Sequence, residues 1–272
     1  MSSIKLSVVI PTRNEAANIA ACVRSFDEAV KSGTVECIVV DNSSSDDTVE
    51  IALSAGAKVL IQGPERCAQR NRGLRESKGG WVLFLDADMM LPRETVDEVL
   101  AVCGADGPAD AWYVPEVRTG RGLRVKARNF ERGFYDGTCI DGIRLVRREI
   151  IEGIGGYDEN LVACEDWDLD RRLLAAGAKT ATLKGHIIHN EAKTTLRRLL
   201  SKKAYYSASV DRYRTKWGED AVVRRQFSPF YRFFGVFVER GKWRRVLRHP
   251  VLFAVMMLER FAVGLVYLAN RR

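Results

Sequence analysis

The sequence has few of the residues from which zinc sites and disulfide scaffolds are built. It contains three histidines and six cysteines in 272 residues. The cysteines lie far apart, with no C-x-x-C pair and no histidine at zinc-finger spacing, and a chain of this length needs no disulfides to stabilise its core. These absences exclude the zinc-finger and disulfide-rich classes. We expect all six cysteines to be reduced thiols.

The N-terminal segment also lacks the features of a secretory signal peptide. Met1 to Leu6 leads straight into the short apolar run Val8–Ile10. Export would require an apolar region of about seven residues or more and a small-residue cleavage site. No internal repeat or low-complexity tract is present either. Because 46% of the residues are hydrophobic, we expect a globular cytoplasmic protein and not a disordered one.

Negative charge is scarce in the last quarter of the chain. Residues 1–192 carry 24 Lys and Arg against 30 Asp and Glu, whereas residues 193–248 carry 16 against 4. The overall net charge of +8 therefore comes from the C-terminal part. This change in composition places a boundary near residue 192.

Short apolar runs alternate with segments of helical spacing in the first hundred residues. The runs are Leu6–Ile10, Val35–Asp41, Ala57–Ile61 and Trp81–Asp86. This alternation predicts βαβ units and an α/β fold with a mostly parallel central sheet, whose strands are buried on both faces. Further along, the pattern predicts strands at Ala111–Val117 and Gly142–Arg147 and a helix from Glu165. Ligands of such sheets bind at the carboxyl ends of the strands.

Two carboxylates follow the fourth apolar run, in the tripeptide Asp86-Ala87-Asp88. Hard cations such as Mg²⁺ or Mn²⁺ prefer oxygen ligands, commonly one or two carboxylates together with substrate phosphates. A D-x-D turn therefore suits a metal-bridged diphosphate. Taken alone, the tripeptide is weak evidence for such a site and favours a solvated turn.

Six short motifs follow one another along the chain. They are Pro11-Thr12-Arg13-Asn14-Glu15, the segment from Asp41 through Ser43 to Thr48, Ala68-Gln69-Arg70-Asn71-Arg72-Gly73, Asp86-Ala87-Asp88, Gly155-Gly156-Tyr157-Asp158-Glu159 and Glu165-Asp166. In this order they resemble the motifs of family 2 inverting glycosyltransferases of the GT-A fold. The resemblance covers about residues 5–190. Gln69 departs from the family, which commonly has an apolar or small residue there.

The resemblance implies a GT-A catalytic domain over residues 1–192, with a nucleotide-sugar half to about 104 and an acceptor half from 105. Residues 193–272 would form a helical, basic and aromatic extension. The implied donor-binding residues are Pro11, Thr12, Arg13, Asn14, Glu15, Asp41, Ser43, Arg70, Asp86, Ala87 and Asp88. Alternatives remain for three of them, because Asp41 could be a turn aspartate, Glu15 a helix cap and Arg70 a structural ion-pair partner.

The resemblance also implies a divalent metal cofactor, Mn²⁺ or Mg²⁺. It assigns Asp88 to the metal directly and Asp86 to the ribose or the metal shell. His186 and His189 end a predicted strand, where their odd separation directs them to opposite faces. We choose His189 as the metal or diphosphate ligand, with a structural histidine as the alternative; the following residues 190–196 resemble the family's donor-closing stretch.

Asp166 corresponds to the general base of the family, which takes the proton from the acceptor hydroxyl so that transfer proceeds with inversion. The alternative is an acidic first turn of a helix, because acidic residues are common at that position. The resemblance adds further candidates for acceptor or other contacts. These are Glu165, Trp167, Gly156 and Tyr157.

Basic and aromatic residues are interleaved from Lys193 to Arg248. This mixture suits an anionic membrane surface, but also nucleic acid or a solvated basic face over core aromatics. The closing apolar blocks Val251–Leu258 and Phe261–Ala269 are interrupted by Glu259-Arg260. Because each charge would cost about 2.5–3.5 kcal/mol in a spanning helix, we favour an interfacial or re-entrant helix; burial against the catalytic domain or in a dimer is the alternative.

The sequence thus predicts a metal-dependent glycosyltransferase at the cytoplasmic side of a membrane, peripheral or monotopic. Its donor would be a nucleotide diphosphate sugar, a UDP-sugar by default, and its acceptor a lipid-linked or glycan molecule. Nucleic acid is a less favoured partner. The sequence does not determine whether the protein forms an oligomer. A nucleotidyltransferase is disfavoured because no N-terminal G-x-G-T-R loop is present, and an inactive sugar-nucleotide-binding module is the other alternative.

Overall fold

A computed structural model describes residues 4–104, 107–190 and 210–269, with side chains as far as Phe261. The strands are β1 Leu6–Thr12, β2 Val35–Asp41, β3 Lys58–Ile61, β4 Trp81–Phe84, β5 Met89–Met90, β6 Ala111–Tyr113, β7 Glu116–Arg118, β8 Ile143–Arg147, β9 Thr180–Thr182 and β10 Ile187–His189. The helices are α1 Ile19–Arg24, α2 Asp27–Lys31, α3 Thr48–Ser54, α4 Arg66–Glu76, α5 Arg93–Gly104, α6 Leu123–Arg132, α7 Arg148–Gly153 and α8 Glu165–Ala175. The remaining helices are α9 over 210–217, α10 Ala221–Phe227, α11 Val236–Val238, α12 Trp243–Arg248 and α13 Pro250–Ala269.

The large sheet has the strand order β3-β2-β1-β4-β8-β6-β9. The first four of these strands are parallel, and β8 is antiparallel to both of its neighbours. Since β6 and β9 run with β4, β8 is the one reversed strand of this sheet. The predicted mostly parallel sheet is therefore confirmed. A small second sheet has the order β5-β10-β7.

Both faces of the large sheet are covered, which explains why β1 is a continuous apolar run. Val8 and Ile10 pack in one core with α1, α3 and α5, whereas Val9 packs on the other face with α4, α7 and α8. All residues of β1 are buried, and burying a valine or leucine side chain contributes roughly 1.5–3 kcal/mol. The sheet is thus fixed in the middle of the domain, and its carboxyl ends are free to form a site.

One predicted strand is wrong. The apolar run Ala111–Val117 forms two strands, because Pro115 has no backbone N–H and interrupts the hydrogen bonds of a ladder. Residues Ala111–Tyr113 form β6 in the large sheet, and Glu116–Arg118 form β7 in the small sheet. The carbonyl oxygen of Pro115 accepts a hydrogen bond of 2.8 Å from the N–H of Ile187. Hydrophobic periodicity alone could not show this change of sheet.

The C-terminal layer, residues 210–269, packs on the region around α6. Phe130 and Phe134 form a buried cluster with Tyr231, Phe237 and Met256. The favoured interfacial or re-entrant position of the closing helix is not confirmed. Glu259 and Arg260, the charges expected to oppose a spanning position, pair with side chains of α6. No helix in the described part of the chain combines the length and apolar character needed to cross a bilayer. The segment from residue 191 to 209, including most of the predicted donor-closing stretch, lies outside the described residues.

Candidate active site

The loops after β1 and β2 meet at the carboxyl edge of the sheet. Asp41 is fully buried, and its two carboxylate oxygens accept hydrogen bonds from the N–H and the hydroxyl of Ser44, at 2.7 and 2.5 Å. The N–H of Asn14 donates to Ser44 Oγ at 2.8 Å, and Asn14 Oδ1 accepts from the N–H of Ser45 at 2.8 Å. Ser43 is exposed, with a left-handed backbone of φ 49°. Asp41 therefore fixes the conformation of this loop. This is the role of a turn aspartate, which the sequence analysis gave as the alternative to donor binding.

The P-x-x-N-E segment separates into a buried part and an exposed part. Pro11 and Thr12 are buried in β1, and Arg13 is exposed beyond it. Glu15 Oε2 accepts a hydrogen bond of 2.8 Å from the side chain of Asn18. Asn18 precedes the first residue of α1, so Glu15 is not the cap of that helix. In this segment, Arg13 and Asn14 face solvent on the expected donor side.

Arg70 joins three carboxylates from two distant motifs. Its Nη2 atom lies 3.2 Å from Asp86 Oδ1, and its Nη1 atom lies 3.1 Å from Asp166 Oδ1 and 3.6 Å from Glu165 Oε1. The guanidinium lies over the ring of Tyr157, 4.9 Å from its centre. The Arg70 side chain is only 1% exposed. We call Arg70, Asp86, Asp166, Glu165 and Tyr157 the pocket floor.

Close packing of α4 on the sheet places Arg70 at this position. Gly73 allows the approach, because a Cβ atom there would lie 2.3 Å from Val9 Cγ1. Gln69 Nε2 donates to the carbonyl oxygens of Thr12 at 3.0 Å and of Val40 at 2.6 Å, at the ends of β1 and β2. Gln69, the departure from the family pattern, therefore links α4 to the strand ends that carry the site.

Gly156 and Tyr157 lie beneath the pocket. Asn71 Nδ2 donates to the Tyr157 carbonyl at 2.9 Å and to Glu159 Oε1 at 2.8 Å, and Asn71 Oδ1 accepts from the Tyr157 N–H at 2.8 Å. Gly156 has φ 73°, and a Cβ atom there would lie 2.5 Å from Asn71 Oδ1. Tyr157 is buried against Phe84. In this arrangement, Gly156 and Tyr157 support Arg70 from below, and their acceptor contacts stay a prediction.

Sequence analysis missed two charged residues that border Asp86. Arg144 Nη1 lies 3.9 Å from Asp86 Oδ2, and Arg144 Nη2 donates to Glu116 Oε1 at 2.7 Å. Burial opposes the charged form of Asp86, but Arg70 and Arg144 outweigh it and lower its pKa to about 2. The available signal was a charged residue within a predicted strand, namely Arg144 in the strand predicted at Gly142–Arg147 and Glu116 in the one predicted at Ala111–Val117.

Pairing of β5 with β10 brings Asp88 next to His189. The N–H of Asn190 donates to the Asp88 carbonyl at 2.8 Å, and His189 Nε2 lies 3.2 Å from Asp88 Oδ2. His189 Nδ1 lies 3.9 Å from Glu116 Oε2. Burial disfavours the imidazolium, but the two carboxylates outweigh this effect and raise the pKa of His189 to about 9. His186 lies away from this pair, where its N–H donates to Thr95 Oγ1 at 3.1 Å.

Asp88 and His189 fit one side of a divalent-cation site. An imidazole nitrogen and a carboxylate oxygen, 3.2 Å apart, are suitable ligands for Mn²⁺ and similar cations. Within residues 4–104, 107–190 and 210–269, no group of three or more His, Cys, Asp or Glu side chains is arranged to hold a metal on its own. The remaining ligands would have to come from a diphosphate and water, which is usual for Mg²⁺ and related ions.

The predicted general base begins helix α8. Asp166 is the second residue of α8, and its side chain is 35% exposed, whereas that of Glu165 is 8% exposed. Burial and the charge of Asp166 raise the pKa of Glu165. Gly142 lies beside Asp166, and a Cβ atom there would lie 2.9 Å from the Asp166 Cβ. Of the two acids, Asp166 is the one that solvent or a substrate can reach.

Helix α8 also joins the site to the C-terminal layer. Asp168 Oδ1 accepts hydrogen bonds from Trp217 Nε1 and Lys216 Nζ, both at 2.8 Å. Trp167 lies edge to face with Phe227, with ring centres 5.7 Å apart. Trp167, a candidate for acceptor contacts, therefore contributes to the packing between α8 and α10. The position of the base helix depends on residues beyond the catalytic domain that the sequence predicts.

A cavity of about 250 Å³ lies between β7 and α6. It is lined by Arg118, Arg128, Glu131, Arg132 and Tyr135. Arg132 Nη2 lies 3.0 Å from Asp141 Oδ1 and 3.6 Å from Glu116 Oε1. A chain of side-chain contacts runs from Arg132 of the cavity through Glu116 and His189 to Asp88 of the D-x-D turn. Arg128 Nε lies 3.8 Å from Glu259 Oε2, so acidic side chains border this lining as well. Guanidinium groups in such a lining can bind an anionic group in a bidentate manner.

The chain is similar in sequence to known glycosyltransferases. Residues 7–155 match the model of the family described as glycosyl transferase family 2. An uncharacterized glycosyltransferase of Rickettsia typhi is 44% identical over 97 residues, which is 35% of this chain and 32% of the relative. The chain thus spans about a third of that protein's length. A PGL/p-HBAD biosynthesis glycosyltransferase of Mycobacterium tuberculosis is 30% identical over 183 residues, 63% of this chain and 70% of the relative.

Solved structures share the fold at lower identity. TarS 1–349 of S. aureus, in complex with UDP-GlcNAc, aligns with a TM-score of 0.63 and 18% identity over 92% of this chain and 78% of its own. The mannosyltransferase PcManGT of Pyrobaculum calidifontis, in complex with GDP-Man and Mn²⁺, aligns with a TM-score of 0.59 and 18% identity, over 98% and 76%. These likenesses show an α/β, GT-A-like fold. Together with the match over residues 7–155, they lead to the conclusion that the chain belongs to glycosyl transferase family 2.

Proposed function

We propose that the protein is a metal-dependent inverting glycosyltransferase, which moves a sugar from a nucleotide diphosphate to a hydroxyl or phosphate of a membrane-proximal acceptor. The observation that carries this proposal is the pocket floor. Arg70 holds a residue of the D-x-D turn and the base candidate Asp166 on one guanidinium, at 3.2 and 3.1 Å. A donor on the D-x-D side and an acceptor on the Asp166 side would therefore meet above Arg70. Residues 1–192 would perform this chemistry, with residues 193–272 as the extension.

Each residue of the pocket has a defined part in this reaction. Asp166 accepts the proton of an acceptor hydroxyl, whose oxygen then attacks the anomeric carbon from the face opposite the leaving group. The bond from the anomeric carbon to the diphosphate breaks as the new glycosidic bond forms, so the configuration inverts. Arg70 lowers the pKa of Asp86 and holds the carboxylates of Asp86 and Asp166 in place. Asn14, Arg13 and Ser43 lie on the side where the nucleotide would bind.

Asp88 and His189 would hold the divalent cation together with the donor diphosphate. When bound, Mn²⁺ or Mg²⁺ stabilises the negative charge that develops on the leaving nucleoside diphosphate. The complex of PcManGT with Mn²⁺ supports a cation in this fold. A UDP-sugar is our default donor, which agrees with the UDP-GlcNAc complex of TarS, while GDP-Man in PcManGT makes a guanine donor the first alternative to test.

The acceptor we propose is lipid-linked or a glycan, at the cytoplasmic side of a membrane. Support comes from the arginine-lined cavity next to Glu116, because guanidinium groups bind phosphate in a bidentate manner. Further support comes from the basic composition of residues 193–248. An anionic acceptor group in this cavity would lie near Glu116, whose partner Arg144 borders Asp86. The protein would be peripheral or monotopic.

Transfer and hydrolysis assays with UDP-, GDP- and dTDP-sugars, with and without Mn²⁺, test the proposal. We expect one donor to be consumed in the presence of the metal. Asp166→Asn should lower turnover by about 10²–10⁴-fold, because a positioned base contributes that much, with donor binding retained. Asp170→Asn is a matched control, since Asp170 is another acid of α8 but hydrogen bonds to Tyr113 at 2.5 Å and lies outside the pocket floor.

Asp88→Ala should raise the Mn²⁺ concentration that donor binding requires, which isothermal titration with the nucleoside diphosphate would measure. If the chain binds a sugar nucleotide but transfers none, an inactive binding module replaces our proposal. If Asp166→Asn retains full turnover, the proposal of Asp166 as the base is wrong. Retention of configuration in the product, observed by NMR, would contradict direct displacement.

A further inference from the structure

Exposed apolar side chains are concentrated in one part of the C-terminal layer. Of the thirteen large hydrophobic residues exposed in the described ranges, eight lie between Phe230 and Phe261. The exposed fraction is 73% for Phe230, 69% for Leu247 and 62% for Val251. Contiguous exposed apolar patches in soluble proteins generally mark surfaces that bind another molecule. This concentration of exposed apolar side chains therefore indicates a surface that binds another molecule.

Six of the exposed residues recur every four or five positions along the chain, and we call them the docking face. It consists of Phe230, Phe234, Val238, Trp243, Leu247 and Val251. The first three are four residues apart in one helical run, and the rings of Phe230 and Phe234 lie 5.7 Å apart. Tyr231 and Phe237 of the same run are buried in the cluster with Phe134. The run is thus apolar on both its inner and its outer side, unlike an ordinary surface helix.

Positive charges lie among the residues of the docking face. Arg240, Arg244 and Arg248 are exposed, and the guanidinium of Arg244 lies over the ring of Trp243 at 5.5 Å from its centre. The segment 193–248 has 16 Lys and Arg against 4 Asp and Glu. Aromatic rings at headgroup level with arginines drawn to lipid charge are typical of helices that lie in the interface of an anionic membrane.

The two central charges of the closing helix point away from the docking face. Glu259 Oε1 lies 2.7 Å from Arg124 Nε, and Arg260 Nη2 lies 2.6 Å from Glu131 Oε1, so both charges face α6. Leu258, next to them in sequence, is 70% exposed on the outer side. The helix therefore presents an apolar outer side, because its charged residues are neutralised on the inner side.

We propose that the docking face binds the surface of an anionic phospholipid bilayer, with α12 and the first turns of α13 lying along it. The aliphatic side chains Leu247 and Val251 give nucleic acid nothing to stack on, and a second copy would bring the same positive charge against Arg244 and Arg248. Both arguments favour lipid. This proposal names the partner of the C-terminal layer. It rests on the proposed function only in that membrane docking would bring the enzyme to a membrane-proximal acceptor.

Docking on this face would bring the arginine-lined cavity close to the lipid headgroups. The Arg260 side chain, on the inner side of α13, pairs with Glu131 and contacts Tyr135, and both residues line the cavity. One surface of α13 thus borders the proposed acceptor site, while its other surface belongs to the docking face. A lipid-linked acceptor could then enter the cavity without leaving the bilayer.

Cosedimentation of the full chain with phosphatidylcholine vesicles, with and without phosphatidylglycerol, tests this inference. We expect binding to the anionic vesicles. The pair Phe230→Ser and Leu247→Ser should weaken it roughly tenfold or more, because burial of apolar area is lost. The pair Arg244→Gln and Arg248→Gln should weaken binding to anionic vesicles by a similar factor, since each arginine near the surface contributes to the attraction. The matched control is Leu53→Ser, which removes a side chain 54% exposed outside the face.

Thermal unfolding would establish that each variant is folded before its binding is compared. The inference is overturned if the folded wild type does not bind anionic vesicles, or if both pairs of substitutions bind as the wild type does. It is also overturned if light scattering shows a dimer that the Phe230→Ser and Leu247→Ser pair dissociates, because a second copy then covers the face. Retention of RNA in place of vesicles would be a third contradiction. Vesicle binding without any donor turnover would contradict the proposed function and leave this inference intact.

Discussion

The pocket floor and the C-terminal layer use arginine, acids and aromatic rings in opposite ways. In the pocket floor, one arginine that is 1% exposed lies between the carboxylates of Asp86 and Asp166 and over the ring of Tyr157. In the C-terminal layer, Arg260 pairs with Glu131 on the inner side, where the two side chains are 13% and 23% exposed. The outer arginines, such as Arg244, lie in solvent beside exposed rings.

The difference shows that the role of an arginine depends on its burial and on the charges around it. A buried arginine among acids cannot be removed without leaving carboxylates that lack a counter-ion, so the pocket floor depends on each of its members. Exposed arginines next to apolar side chains contribute little to stability. Their effect is expected on binding to an external partner. Three substitutions would break or sharpen this contrast.

Replacing Arg70 should have the largest effect on stability. In Arg70→Met, Asp86, Asp166 and Glu165 lose their shared cation in a region with little solvent, and we expect unfolding free energy to fall by about 3–5 kcal/mol. Urea denaturation of the two proteins side by side measures this difference. Arg72→Met is the control on the same helix, because Arg72 is 39% exposed and pairs with Glu76 at i+4; its cost should be about 0.5 kcal/mol or less. Equal costs for the two substitutions would show that Arg70 is not central to the floor.

Much of the fold could be predicted from the sequence, because the information is local. The strands β1, β2 and β4 are apolar runs buried on both faces, and each ends near a polar loop. The exception at Pro115 has a local cause, but the choice of the small sheet depends on β10, some 70 residues later in the chain. The side of α13 that faces the protein was likewise set by distant partners, Arg124 and Glu131.

The candidate site was predictable where its residues belong to motifs, and Asp86, Asp88, Asp166 and His189 do lie together. What the sequence could not show is the residue that connects them. The sequence left Arg70 open as either a donor-binding residue or a structural ion-pair partner. Its guanidinium lies between Asp86 and Asp166, a position that is compatible with both roles. Arg144 and Glu116 went unnoticed, because a charged residue within a predicted strand carries no sequence pattern that identifies its partner.

Asp170 provides the second test, because it is a buried acid of α8 whose one described side-chain partner is the hydroxyl of Tyr113. Burial raises its pKa to about 6, so the folded protein holds a proton that the unfolded chain releases near pH 4. Stability from this group is fully present below about pH 4 and is lost as the pH rises through 6. The Asp170→Asn variant should therefore be more stable than the wild type at pH 8, by about 2–3 kcal/mol.

Unfolding experiments at pH 4 and pH 8 would measure the two proteins, and the gain should shrink towards the lower pH. The contrast with Asp166 is informative, since both acids are on α8 but only Asp166 has Arg70 as a partner. Asp97→Asn, an exposed acid on α5, is the control and should leave the pH profile unchanged. A stability difference between wild type and Asp170→Asn that is the same at both pH values would contradict the assignment.

The smallest expected effect is that of Arg260→Met, which tests the inner side of the C-terminal layer. Methionine keeps the packing beneath Phe233 and Phe237, where the guanidinium now lies, but it removes the ion pair with Glu131. Because Glu131 is 23% exposed and can recover water, we expect unfolding free energy to fall by roughly 1–2 kcal/mol, less than for Arg70. Arg244→Met, on the outer side, should cost almost nothing in solution. If instead Arg244→Met destabilises the protein more than Arg260→Met does, the inner and outer sides of this layer would not differ as the structure indicates, and the contrast with the pocket floor would lose its basis.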